Sequence, residues 1–359
     1  MNLSDTTTII RCNKAIRISK EYAPIAEISS HTSCRVETIN AYGDRFETLS
    51  DLVHLLKDKS GKNHHHPLTG PISIPDAHIG DVLRVDILAI KPEEMAQSLS
   101  RSAGIDPLSE PLFGDRNPII GKMTKKSHQE DYEKIVFSEH LLIPSSPMIG
   151  IIGTAPHLDY IKTGHAGQTG GNLDIPFVRE GASIYLPVQV ENAYLFIGDS
   201  HSAQAYGELG GTAMECSATV DLSISVCTPN EKLFEKDPYL AEQQNIAPIM
   251  IAGKEPLTQK KCIGIVGVSN AYNALDEAVI NAYRNAVRFI RAICPRVSHG
   301  GARNLITLIG HSLNGQAGSL TAESTSMILF TEESLSSIYR ATTKNVVDEI
   351  MNTVYYERN

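Results

Sequence analysis

A shortage of positive charge is the first feature of this 359-residue chain: 32 Lys and Arg stand against 41 Asp and Glu, a net charge of −9 at pH 7. The basic residues are scattered, with only Lys125-Lys126 and Lys260-Lys261 adjacent. A surface of that sign repels nucleic-acid phosphates and anionic membranes, so neither is expected as a main partner. Long apolar runs are missing too. Nothing approaches the roughly 18 residues needed to span a bilayer, and Met148–Ala155 is among the longest such stretches. Met1–Lys20 has no basic cap followed by an apolar segment, so no secretory signal is read. Cysteine is sparse: Cys12, Cys34, Cys216, Cys227, Cys262 and Cys294 are widely spaced, without a Cys-x-x-Cys pair, as in a reduced cytosolic protein. No internal repeat of fixed period occurs. The expectation is a soluble, cytoplasmic chain.

What is present is the composition of an ordinary globule: 42% hydrophobic and 20% charged residues, with 26 Gly and 18 Pro supplying turns. Global disorder, collagen-like repetition and a coiled coil are excluded. At roughly 150 residues per domain, about two substructures are expected. Leu83, Val85, Ile87 and Ala89 alternate with polar residues and predict a strand over Val82–Ile90. Met148–Ala155 reads as a buried strand, and Ser183–Val190 and Tyr194–Gly198 as two more. Short strands are expected around Thr8–Ile10 and Ile25–Ile28, and a short helix over Leu49–Lys59. Asn63–Pro71 reads as irregular, and Lys91–Lys134 as a polar surface excursion. Thr212–Cys227 alternates without a break, predicting one long strand buried on a single side. Past Thr228 the pattern changes. Leu275–Cys294 has helical spacing, Asn304–Ile309 reads as a strand, and Glu332–Tyr355 as a helix capped by Thr331. The expected architecture is α+β and β-rich: a sandwich-type core over residues 1–230 carrying the site motifs, with a mixed α/β portion over 231–359 packed on it.

Chemistry concentrates in the middle of the chain. His157, Asp159, His165, Asp174, Asp199 and His201 fall within 45 residues of one another, among loop glycines, and Glu208 follows. In extended backbone, residues two apart point to the same side, so Asp199 and His201 can enter one pocket. Carboxylate oxygen and imidazole nitrogen together suit a divalent metal. With an open coordination position, such an ion activates water and polarises a carbonyl, and a free carboxylate such as Glu208 can take the water's proton. The plainer alternatives are a turn-capping Asp199, a hydrogen-bonded surface His201 and a solvated His64-His65-His66 run.

Several of these stretches resemble the acetamidase/formamidase family. They are His66-Pro67-Leu68-Thr69-Gly70-Pro71, Gly80-Asp81-Val82-Leu83, Gly150–Pro156, Gly171-Asn172-Leu173-Asp174, Leu186-Pro187-Val188, Gly198–Gln204, Gly207-Glu208 and Gly211–Glu215. They occur in order from about His66 to Val226. The resemblance implies a β-rich fold with an α/β portion, a homo-oligomer, and hydrolysis of small linear amides such as formamide or acetamide to a carboxylate and ammonia. It also implies a divalent ion, zinc or calcium, and water activated by it. Carried onto this chain, Asp174, Asp199 and His201 become the metal ligands, with His66 a further candidate. Glu208 becomes the proton carrier, and Asn172 and Gln204 orient substrate or ligands. The chain departs from the family pattern at Thr169, Ile175-Pro176, Ala205-Tyr206 and His157, and over His299–Gly318.

Other readings compete with this one. Gly310-His311-Ser312-Leu313-Asn314 resembles a nucleophile elbow, but Asn314 stands where glycine is needed and no histidine follows His311. Cys216 on an apolar strand face reads as an inert buried thiol. A non-catalytic, metal-stabilised binding protein of the same fold, or a hydrolase of cyclic amides, uses the same ligands.

Overall fold

The computed structural model describes residues 8–43, 48, 50–51, 66–99, 118–125, 132–234, 246–315 and 322–357. The expected Leu49–Lys59 helix lies almost wholly outside the described residues. Two large sheets dominate. The first orders its strands Thr8–Ile10, Thr32–Thr38, Ala218–Pro229, Val82–Pro92, Ser183–Pro187, Met250–Lys254, Lys261–Tyr272, Glu323–Thr331 and His311–Asn314, with Tyr355–Glu357 added beside Ala218–Pro229. Pairing of Ser183–Pro187 with Met250–Lys254 carries this sheet across residue 230 without interruption.

The second sheet runs Leu142–Pro144, Tyr132–Val136, Pro118–Lys125, Met95–Leu99, Met214–Cys216, Leu195–Ala203, Met148–Thr154, Gly170–Asn172 and Ala166–Gly167. Leu68–Ser73 joins it beside Leu195–Ala203. The sheets face each other across one apolar core. Leu83, Val85 and Ile184 from the first meet Ile149, Ile152 and Ile197 from the second. Two buried hydroxyl contacts cross the same gap: Thr38 Oγ1 lies 2.8 Å from Ser200 Oγ, and Thr154 Oγ1 donates to the Pro187 carbonyl at 2.7 Å.

A helical layer covers the other face of the first sheet. Along Lys261–Tyr272, Cys262, Val266 and Val268 face the sandwich, while Ile263 and Ile265 meet Ala282, Ala286, Phe289 and Ile290 of the Leu275–Ile293 helix. Such a strand is buried on both faces and so reads as a nearly continuous apolar run. Gly267 sits where the helix comes closest; a Cβ there would lie 2.1 Å from the Ala282 nitrogen. No described helix is long and apolar enough to cross a membrane. All six cysteines are free.

The structure corrects several expectations. Lys91–Lys134 contains three strands, Met95–Leu99, Pro118–Lys125 and Tyr132–Val136, which form one end of the second sheet around a small core of Ala96, Met123 and Ile135. Their sparse apolar content reflects that marginal position. The long Thr212–Cys227 strand divides at Ser217: Met214–Cys216 belongs to the second sheet and Ala218–Pro229 to the first. Leu68–Ser73 is a strand despite its Gly and Pro. Asn304–Ile309 belongs to a helix, His299–Ile309, whose cap Ser298 accepts from the Gly301 nitrogen. Because a strand follows this helix, the strand-to-helix turn of a nucleophile elbow is absent there. Glu332–Tyr355 divides into the helices Glu332–Ser336, capped by Thr331 as expected, and Val346–Val354.

Candidate active site

The strand Leu195–Ala203 lies in the middle of the second sheet and carries both Asp199 and His201. It does not end at Asp199, as the sequence suggests, but continues through Ala203. Its alternation slips instead. Ile197 and Ser200 both reach the inter-sheet core three residues apart, as do Ile149 and Ile152 on the neighbouring strand. At the level of the slip Gly150 stands opposite Asp199, between the pairs Ile149–Ser200 and Ile151–Gly198. Asp199 has φ +54°, a conformation that L-residues seldom occupy. His66, Asp174 and Glu208 share it, with φ of +57°, +48° and +44°. Four non-glycine residues held in this region within one site indicate backbone strain sustained by the surrounding packing.

These residues converge. One ligand atom each from Asp174, Asp199 and His201 falls within 4.8 Å of the others, and the same holds for His201, Glu208 and Glu215. His201 Nε2 lies 3.5 Å from Asp199 Oδ1 and 3.2 Å from Glu215 Oε2, and His66 Nδ1 lies 3.0 Å from Asp199 Oδ1. Asp174, Asp199, His201 and Glu215 are each 2% exposed or less. A Cβ on Gly150 would sit 2.7 Å from Asp174 Oδ1 and 2.8 Å from both Asp199 Oδ2 and His201 Cε1. The absent side chain of Gly150 is what leaves room between the acids and the imidazole.

Asn172 and Gln204 hold this arrangement in place. Gln204 Nε2 donates to the Asp174 carbonyl at 2.6 Å, so its Oε1 is the acceptor facing His201 Nδ1 at 2.7 Å. That bond places a proton on Nδ1 and directs Nε2 at the carboxylates, the orientation a metal-binding imidazole needs. Asn172 Nδ2 donates to Asp174 Oδ2 at 2.8 Å.

Charge in the site is out of balance. Four buried carboxylates (Asp174, Asp199, Glu208, Glu215) face two imidazoles. Burial raises Asp174 to about 7, with Asp199 and Glu215 adding to the effect against His201 and His66. Burial likewise lifts Glu208 well above the usual carboxylate range, reinforced by Asp174. Asp199 moves the other way: burial opposes ionisation, but His66 and His201 outweigh it. His201 is raised well above its ordinary value, Glu215 and Asp199 overcoming the cost of burial. Among the described residues, Asp174 Oδ1, Asp199 Oδ1, His201 Nε2 and Glu215 Oε2 are buried without a hydrogen-bond partner. Buried polar atoms left in this way are costly, and a cation among Asp174, Asp199 and His201 satisfies three of them at once. The oxygen and nitrogen donors therefore fit a divalent metal ion.

Not every sequence candidate joins the cluster. Asp159 is exposed, His157 is exposed with its backbone nitrogen bonded to Gln189 Oε1, and His165 pairs with Glu323 at 3.0 Å. Tyr206 turns its hydroxyl to Glu255 Oε1 at 2.5 Å and its ring to Phe177. Glu215 is the residue that sequence reasoning missed. Read as part of one long strand, it falls on the same polar side as Asp221. The break at Ser217 instead sets it beside His201, with which it is in register. The signal was an acid between Met214 and Cys216 at the end of a matched motif.

The comparisons with known proteins agree with this geometry. The sequence profile described as the acetamidase/formamidase family matches residues 12–166 and 160–295. A formamidase-type protein of Schizosaccharomyces pombe is 26% identical over 214 residues, covering 44% of this chain and 52% of that protein. An acetamidase of Mycolicibacterium smegmatis is 26% identical over 141 residues, covering 37% of this chain and 33% of its own length. The matches thus span about half and a third of these curated relatives. A crystal structure of an acetamidase/formamidase-type protein from Thermoanaerobacter tengcongensis covers 92% of this chain and 98% of its own, with a TM-score of 0.73 and 25% identity. The structure of a Bacillus halodurans acetamidase shares the fold, with a TM-score of 0.70 and 24% identity over 92% of this chain and 99% of its own. With the profile matched over most of its length, this chain belongs to the acetamidase/formamidase family.

Proposed function

We propose that the chain is a metal-dependent hydrolase of small linear amides, of the formamide and acetamide class, releasing a carboxylate and ammonia. The observation that carries this reading is the convergence of Asp174, Asp199 and His201 on one buried space kept open by Gly150. These three side chains would hold the ion, and Glu215 would complete the acidic surround beside His201. His66 lies at the rim, against Asp199. The imidazole nitrogen among the donors favours zinc over calcium, which prefers oxygen alone. When bound, such an ion supplies Lewis acidity, polarising a carbonyl and acidifying water.

The chain's own residues do the rest. Gln204 and Asn172 fix His201 and Asp174 rather than touch the reacting bond. Glu208, buried and close to His201 and Glu215, accepts the proton of the attacking water and delivers it to the departing nitrogen. As the family resemblance implies, the protein would work as a cytoplasmic homo-oligomer.

The test is ammonia release from formamide and acetamide by the purified protein, before and after chelation. Turnover should stop on chelation and return on adding zinc. Glu208→Gln should keep its metal and lose roughly 10²–10⁴-fold in kcat. Full activity in the chelated protein, or in Glu208→Gln, would overturn the reading, as would the absence of turnover by zinc-replete protein on either amide.

A further inference from the structure

A second polar cavity, of about 420 Å³, lies between the Leu275–Ile293 helix, the Lys261–Tyr272 strand and residues 246–249. It shares no lining residue with the carboxylate and imidazole site. The helix wall carries a tandem four-residue pattern, Asn281-Ala282-Tyr283-Arg284 followed by Asn285-Ala286-Val287-Arg288. The alanines and Gly267 bring helix and strand into close contact. That closeness lets the short asparagine side chains reach the strand: Asn281 Nδ2 donates to the Val268 carbonyl at 2.9 Å, and Asn285 Nδ2 to the Val266 carbonyl at 2.7 Å. With its amide nitrogen committed, each asparagine presents Oδ1 to the arginine three residues on, Arg284 and Arg288. Arg288 is held further by the Leu233 and Ile246 carbonyls, each at 2.9 Å.

Both guanidinium groups are thus set in place, yet their Nε atoms are buried without a hydrogen-bond partner, and neither arginine has a carboxylate partner among the described residues. Burial also pulls Arg288 down to about 10. A preoriented guanidinium with unused N–H groups matches a carboxylate in plane and spacing. Glu277 lines the cavity too, but it is engaged by the Asn270 and Ala271 nitrogens. Two cations against one anion leave a single positive charge, which suits a monoanion. Ile246, Ala247 and Pro248 supply an apolar wall beside it.

We propose that this cavity binds a small aliphatic carboxylate, its head on Arg284 and Arg288 and its hydrocarbon part against Ile246, Ala247 and Pro248. The test is calorimetric titration of the full-length protein with butyrate, with phosphate in parallel, at constant ionic strength. Butyrate should bind saturably, and Arg284→Gln should weaken it by roughly tenfold or more. Arg284→Lys, which keeps the charge but loses the planar fork, should recover only part of that loss. Circular dichroism melting without ligand should be the same for wild type and both variants, since Arg284 bonds within its own helix. Three results would overturn the proposal: no saturable butyrate binding, binding that persists in Arg284→Gln but vanishes in Asp199→Ala, or binding of phosphate in place of butyrate.

Discussion

Two glycines mark the contrast between the two halves of this molecule. Gly267 lets a helix lie directly on a sheet, where Ala278, Ala282 and Ala286 keep the contact close and apolar. Gly150 lies in an equally buried strand, but the space it leaves is filled by an imidazole and two acids, the acids held in left-handed backbone. One region uses a missing side chain to bring apolar surfaces together. The other uses it to leave a gap among charged groups. Packing in the first contributes stability; the second accepts strain and buried charge for the sake of chemistry.

The comparison is broken most sharply by adding one methyl group at each place. Gly150→Ala should take activity to background and metal stoichiometry near zero while the far-ultraviolet dichroism stays native, because the new Cβ meets only side-chain atoms of the site. Gly267→Ala should do the reverse. Its Cβ meets helix backbone, so unfolding experiments should show a loss of about 3 kcal/mol, while the folded fraction keeps its metal and its turnover.

Removing charge from the site sharpens the same point. Asp174→Asn should raise the stability of the metal-free protein by about 1–2 kcal/mol in denaturant titrations, since it relieves a buried cluster of like charges. Its metal affinity should fall in the same samples.

The smallest effect concerns Tyr206 and Glu255, beside the site but outside it. Burial favours the neutral acid, yet hydrogen bonds from the Tyr206 hydroxyl and from Thr258 hold Glu255 at about 2, below its ordinary 4.5. A depressed carboxylate stabilises the fold fully above its ordinary value, and that contribution disappears as pH falls from about 4.5 to 2. Tyr206→Phe should cost about 1 kcal/mol at pH 7 and flatten the acid limb of the stability profile.

How far the sequence discloses each region follows from the same physics. In the helix packed on Gly267 the periodicity is that of the structure, and Leu275–Cys294 is read almost to the residue, whereas the Lys261–Tyr272 strand, buried on both faces, carries no alternation to read. The His299–Ile309 helix is misread because Leu305, Ile306, Leu308 and Ile309 form a short apolar run without a decisive period, while the Ser298 cap carries the information. In the site, the clustered acids and histidines point to Asp174, Asp199, His201 and Glu208, the family resemblance adds Asn172 and Gln204, and the fold brings all six together with His66. What pattern cannot supply is the slip at Asp199 and the break at Ser217. Both depend on which sheet a segment joins, and the second of them hides Glu215.

The central claim is that one ion sits among Asp174, Asp199 and His201. Elemental analysis of the purified protein, with anomalous diffraction above and below the zinc edge, tests it directly. The account predicts one ion per chain on these three side chains, lost in Asp199→Ala and in His201→Ala. A chain that takes up no divalent ion, or keeps full stoichiometry in both variants, would contradict it.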